Sequence, residues 1–174
     1  PQVEMPQVEM PQVEMPQVEM PQVKGRVHSG FLDLYMSLRH DIMSTIRHTR
    51  PTRVCIAGHS LGGALAQLTT VDALAQGVGV DVDTICFGCP RVGDVEFTQG
   101  LSGAHSFTML KNTCDIVGDL PLAVQPTMSS PNTPFLYTHP DNATVYFTKN
   151  LGTWVDNHKM QVYLDYVMKL KGES

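Results

Sequence analysis

A serine hydroxyl becomes a nucleophile only when a turn holds it clear of its neighbours and a base takes its proton. One segment has the first property. Gly58-His59-Ser60-Leu61-Gly62 is a GxSxG run, extended by Gly63. Glycines flanking the serine allow a strand-to-helix turn so tight that neighbouring positions have no room for side chains, leaving Ser60 exposed in a strained backbone conformation. The base must be an imidazole oriented by a buried carboxyl group, so the partners sought are an Asp and then a His further along. In open α/β sheets such residues gather just beyond the carboxyl ends of strands. Asp115 closely follows an apolar run, with Asp119 as its rival four residues later. His158 stands at the start of the last helical segment, with His139 as its rival. The order Ser60, Asp115, His158 suits acyl transfer through an ester on the serine. The backbone N–H of Leu61, next after the nucleophile, is placed to donate to the oxyanion.

This chemistry needs no cofactor and no metal. Cys86 and Cys89 form one CxxC, but no second CxxC or HxxxH pair accompanies it to complete four zinc ligands. Cys55, Cys86 and Cys89 lie in apolar runs and read as small core residues. Nothing supports a disulfide between them, which slightly favours a reducing, intracellular compartment.

The elements around these residues alternate in type. Phe31, Leu34, Tyr35, Leu38, Ile42 and Ile46 recur at helical spacing from Ser29 until Pro51 forbids continuation. Arg53 to Ala57 is a short buried strand. Leu61, Ala64, Leu65, Leu68, Val71 and Ala75 restore the helical period, with Gly77 as its cap. Further strands are expected at Val82 to Gly88, Ser106 to Leu110 and Thr144 to Thr148. A final helix presents Met160, Tyr163, Leu164, Val167 and Leu170, with Asp156 or Asn157 available as N-cap. Such alternation predicts a mostly parallel sheet with helices on both faces. The proline-rich stretch from Cys114 to Ala143 reads as a long functional loop.

The 174 residues divide at position 23. Residues 1–23 are PQVEM four times over and then Pro21-Gln22-Val23, a low-complexity repeat whose prolines forbid helix and interrupt any ladder, so an extended or disordered tail is expected. Residues 24–174 form the domain. The formal charge of −5 falls to −1 once the four glutamates of the repeat are set aside. A nearly neutral domain without a basic stripe gives no support for a nucleic-acid partner, and no apolar run is long enough for a transmembrane segment.

At five places the residues resemble the class 3 lipases, the fungal-type family of the α/β-hydrolase superfamily. Val27-His28-Ser29-Gly30-Phe31 is similar to the family's VHxGF, and GHSLGGALA over 58–66 to its elbow. Phe87 to Asp94 is similar to FGxPRVGD, Asp115-Ile116-Val117 with Leu120-Pro121 to the acid segment, and His158 to Leu164 to HxMxxYL. Gly118 stands where the family often has proline. The resemblance implies Ser60 as nucleophile, Asp115 as acid and His158 as base, with His28, Arg91 and Asp94 in the framework. It implies a lipid or small ester as substrate, with contact at a lipid surface and no cofactor. In the family the second oxyanion loop, the first strands and the lid precede VHxGF. Here the repeat stands in that place, so a partial α/β-hydrolase lacking its N-terminal strands and lid, with impaired activity, is the expectation. Two other readings stay open: a non-catalytic remnant that binds acyl groups or a protein partner, and a passive domain whose repeat tail is the interaction arm.

Overall fold

The computed structural model describes residues 23–127 and 130–172. The segment for which an extended tail and no second oxyanion loop are expected lies, apart from Val23, outside the described residues. In chain order the elements are helix α1 (Ser29–Thr49), strand β1 (Arg53–His59), α2 (Leu61–Ala75), β2 (Asp81–Phe87), α3 (Val95–Gly100), β3 (Ser106–Asn112), β4 (Val124–Thr127), β5 (Ser130–Leu136), β6 (Thr144–Phe147), α4 (Trp154–Asn157) and α5 (Met160–Leu170).

Four strands pair in the order β1-β2-β3-β6, every pair parallel. Strand pleating sends alternate residues to opposite faces. On one face Val82 packs with Met43 and Ile46 of α1 and Ala73 of α2. On the other, Leu110 and Phe147 pack with Val162 and Tyr163 of α5, with Ile85 and Phe87 alongside. The expected layered α/β architecture is therefore present. The two helices of the first face are also joined through polar groups: the Tyr35 hydroxyl donates to the buried Asp72 at 2.7 Å, and Arg39 pairs with the same carboxyl group at 2.7 Å.

Several expectations need correction in detail. The α1 stripe is Leu32, Tyr35, Met43 and Ile46, while Leu34 and Leu38 are exposed. Apolar residues flank both sides of the stripe, so periodicity alone could not centre it. In α5, Leu164 and Leu170 are exposed for the same reason, and Val162 is buried instead. The N-cap of α5 is Lys159, because Asp156 and Asn157 belong to the separate turn α4, itself capped by Thr153. Cys55 is exposed rather than core, lying on the pleat of β1 that α1 and α2 do not cover, whereas Cys86 and Cys89 are buried. The supposed loop from 114 to 143 contains the antiparallel pair β4–β5. Prolines fit there because each strand of a two-stranded ribbon has one side with no ladder to complete. No helix among the described residues is long and apolar enough to cross a membrane.

Candidate active site

The turn from β1 into α2 is set by contacts at the backbone level. A Cβ on Gly58 would lie 2.1 Å from the carbonyl oxygen of Gly62, closer than any side chain is tolerated. A Cβ on Gly63 would lie 2.9 Å from Cβ of Cys89. Gly62 differs, since a Cβ there would meet nothing within 4 Å. The steric reason for glycine thus holds at 58 and 63 and fails at 62. Ser60 itself has φ 57° and ψ −127°, a region that costs a non-glycine residue about 1–3 kcal/mol and persists only when neighbours enforce it. Its N–H donates to the Phe87 carbonyl at 2.9 Å, which anchors the turn to β2. Leu61 opens α2, so its N–H is among the first four that have no partner within the helix and points outward at the positive end of the dipole.

Two distant segments meet Ser60. Asp115 follows β3 at the start of a short 3₁₀ turn and is completely buried. His158 lies between α4 and α5. The Nδ1–H of His158 donates to Oδ2 of Asp115 at 2.7 Å, which assigns the tautomer and leaves Nε2 to accept from the Ser60 hydroxyl, also at 2.7 Å. Oδ1 of Asp115 accepts from the Val117 N–H at 3.0 Å. The Tyr163 hydroxyl donates to Oδ2 at 2.5 Å. Burial, and then the hydrogen bond to Asp115, push the Tyr163 phenol well above its ordinary value, so it remains a donor. Gly88 makes this approach possible: it has φ 53°, and a Cβ there would lie 2.7 Å from the Tyr163 hydroxyl and 2.8 Å from Oδ2 of Asp115.

The rivals are engaged elsewhere. Asp119 pairs with Lys111 at 2.5 Å and with Arg91 at 3.3 Å. His139 donates from Nε2 to the Gly118 carbonyl at 2.6 Å, and burial holds its imidazole down to about 4. Framework contacts occupy the other motif residues. Arg91 donates to the carbonyls of Asp119 and Pro121, the His28 N–H donates to Val92 at 2.9 Å, and Asp94 accepts from the N–H groups of Arg26 and Phe97, each at 3.0 Å. Lys111 runs beneath Gly118, where a Cβ would lie 2.8 Å from its side chain, so the glycine gives the lysine its path.

Two participants escaped the sequence reading. Tyr163 reads as one more residue of an apolar stripe, although a fully buried Tyr hydroxyl must find a partner. His59 was placed in the elbow with no task of its own. Its ring stacks on that of His158 at 4.6 Å and its Nε2–H donates to the His158 carbonyl at 2.7 Å. Burial lowers the His59 imidazole below its ordinary value, which favours the neutral donor.

Comparison with known proteins adds an independent line. A family model described as lipase (class 3) matches residues 4–125. A lipase of Rhizomucor miehei is 34% identical over 106 residues, covering 56% of this chain and 29% of that protein. Phospholipase A1-II 4 of Oryza sativa subsp. japonica is 25% identical over 177 residues, covering 85% of this chain and 42% of that protein. Among solved structures, a triacylglycerol lipase whose catalytic centre is described as a serine protease triad superposes with TM-score 0.55 at 29% identity, covering 67% of this chain and 49% of its own. Lipase II from Rhizopus niveus gives TM-score 0.55 at 26% identity with the same coverages, 67% and 49%. The chain spans less than half the length of these relatives. Since the family model matches most of the sequence, and the parallel sheet and elbow carry the family's motifs, the chain belongs to the class 3 lipases.

Proposed function

We propose that the chain hydrolyses carboxylic esters of lipids through an acyl-enzyme on Ser60. His158 Nε2 takes the Ser60 proton as Oγ attacks the ester carbonyl carbon. The carbonyl oxygen becomes the oxyanion, and the Leu61 N–H donates to it. The protonated imidazole then gives its proton to the leaving alcohol as the carbon–oxygen bond breaks. Water repeats the sequence on the acyl-serine, releasing the fatty acid and restoring the hydroxyl. Asp115 holds the imidazole in the tautomer that accepts at Nε2 and stabilises its transient positive charge. The observation that carries this reading is the unbroken relay of 2.7 Å from Ser60 to His158 and 2.7 Å from His158 to Asp115.

A lipid substrate is favoured by family membership and by the rim. Leu61, Ile116, Trp154 and Val155 are exposed, and each lies within four residues of Ser60, Asp115 or His158 in the chain. An apolar border of this kind suits acyl chains at a lipid surface better than a wholly polar ester. Labelling with a fluorophosphonate probe, paired with turnover of a short chromogenic ester, tests the mechanism. The parent should label and turn over, and Ser60→Ala should lose both, with turnover reduced at least about 10³-fold. Equal turnover by the two proteins would remove Ser60 from the mechanism. A parent that fails to label would leave a domain that binds acyl groups without cleaving them.

A further inference from the structure

Asp115 and His158 belong to segments far apart in the chain, and two buried asparagines join those segments without touching Ser60. Asn112, the last residue of β3, is fully buried and uses every hydrogen-bonding position of its amide. Its Nδ2 donates to the carbonyls of Lys149 at 2.8 Å and Asn157 at 3.2 Å. Its Oδ1 accepts from the N–H groups of Lys149 at 2.9 Å and Cys114 at 3.2 Å. Asn157 answers from the other side. Its Nδ2 donates to the Cys114 carbonyl at 2.9 Å, and its Oδ1 accepts from the Leu151 N–H at 2.7 Å.

Cys114 immediately precedes Asp115 and Asn157 immediately precedes His158, so the residues just ahead of the acid and the base are tied in both directions. Only a primary amide of this length does this. Leucine has the shape but neither donor nor acceptor, aspartate lacks the donor, and glutamine adds a methylene. A buried amide is costly unless its polar atoms are matched, and here each one is.

We infer that Asn112 and Asn157 are positioning residues of the hydrolytic site, holding the two loops in the register that brings His158 Nδ1 to Asp115. The inference rests on the triad reading given above. The geometry it protects is demanding, because a displacement of about 1 Å at a catalytic group can cost roughly 10²-fold in rate.

The test compares Asn157→Leu and Asn157→Asp with Thr84→Val, all in the full chain. Thr84 pairs with Thr70 through a buried hydroxyl contact of 2.6 Å on the other face of the sheet, so its loss is a structural control. Three readouts are taken: the low-field proton NMR signal of His158 Nδ1–H, kcat and KM on a short chromogenic ester, and Tm. Both Asn157 variants should lose or shift the low-field signal and lower kcat about 10–100-fold with KM little changed. Thr84→Val should lower Tm while keeping the signal and kcat. Asn157 variants that lower Tm but keep signal and kcat would reduce the clamp to ordinary packing and overturn the inference. If Asn157→Leu does not fold, Asn157→Asp decides, since it keeps the shape and the acceptor for Leu151. A parent that shows the signal without turnover leaves the NMR comparison decisive. A parent with neither signal nor probe labelling defeats the triad reading itself, and the inference with it.

Discussion

The Ser60 side of the candidate site and its Asp115–His158 side are built by opposite means. Residues 58–63 are contiguous, and their shape follows from where a Cβ has no room. Asp115 and His158 are 43 residues apart and meet because hydrogen bonds and a buried phenol bring their loops together. Steric construction at Gly58 needs only the local sequence, and Gly63 adds a single distant neighbour, Cys89. Polar construction needs many partners at once and is exposed to pH and to single-atom changes.

The contrast breaks most sharply at Gly58. Gly58→Ala drives a methyl group into the backbone of Gly62 and should cost about 4 kcal/mol or prevent folding, read by urea denaturation. A variant with parental stability would show that the elbow relaxes and that sterics do not define it.

Acid should act next, through His139, whose Nε2–H holds the Gly118 carbonyl in the turn that follows Asp115. His139 is neutral in the fold, with its imidazole held down to about 4 by burial, and Lys111 and Arg91 add to the lowering. The unfolded chain takes up a proton near 6.5 that the folded chain refuses until about 4. Stability from this group is therefore full above about 6.5 and falls as pH drops towards 4, by about 3 kcal/mol in all. His139→Gln should flatten the stability profile across that window relative to the parent, and parallel profiles would remove His139 as the source.

Smaller effects refine the picture. Tyr163→Phe keeps the ring and removes one donor to Asp115, so a loss of about 1–2 kcal/mol together with a clear fall in kcat is expected. A change in stability with kcat untouched would make the phenol a packing residue. At the low end, Gly62→Ala enters open space near the start of α2 and should leave stability within about 1 kcal/mol, in the stabilising direction. A large loss there would put Gly62 on the same footing as Gly58.

The same contrast governs how much could be read from the amino acids. The positions of β1, β2, β3 and β6 and the α/β layers follow from periodicity and agree with the structure in outline, while strand ends narrow the acid only to Asp115 or Asp119 and the base only to His158 or His139. What escaped is what depends on partners distant in the chain. Val162 rather than Leu164 is buried, and with apolar residues on both flanks of the α5 stripe, spacing alone does not tell which of them faces the sheet. The β4–β5 pair was hidden because its prolines read as loop. Asn112, Asn157 and Tyr163 looked like a strand end, a cap and a core residue, since their tasks exist only once two loops lie side by side.

Gly88 has a consequence for anyone wishing to redesign the protein. The missing methyl group leaves a pocket of space shared by a carboxyl oxygen and a phenol, so position 88 regulates their crowding without owning any reactive atom. Adding a single carbon there would strain the left-handed backbone and force the Asp115 carboxyl group or the Tyr163 hydroxyl to move. A position with no side chain thus governs how closely a carboxyl group and a phenol can approach.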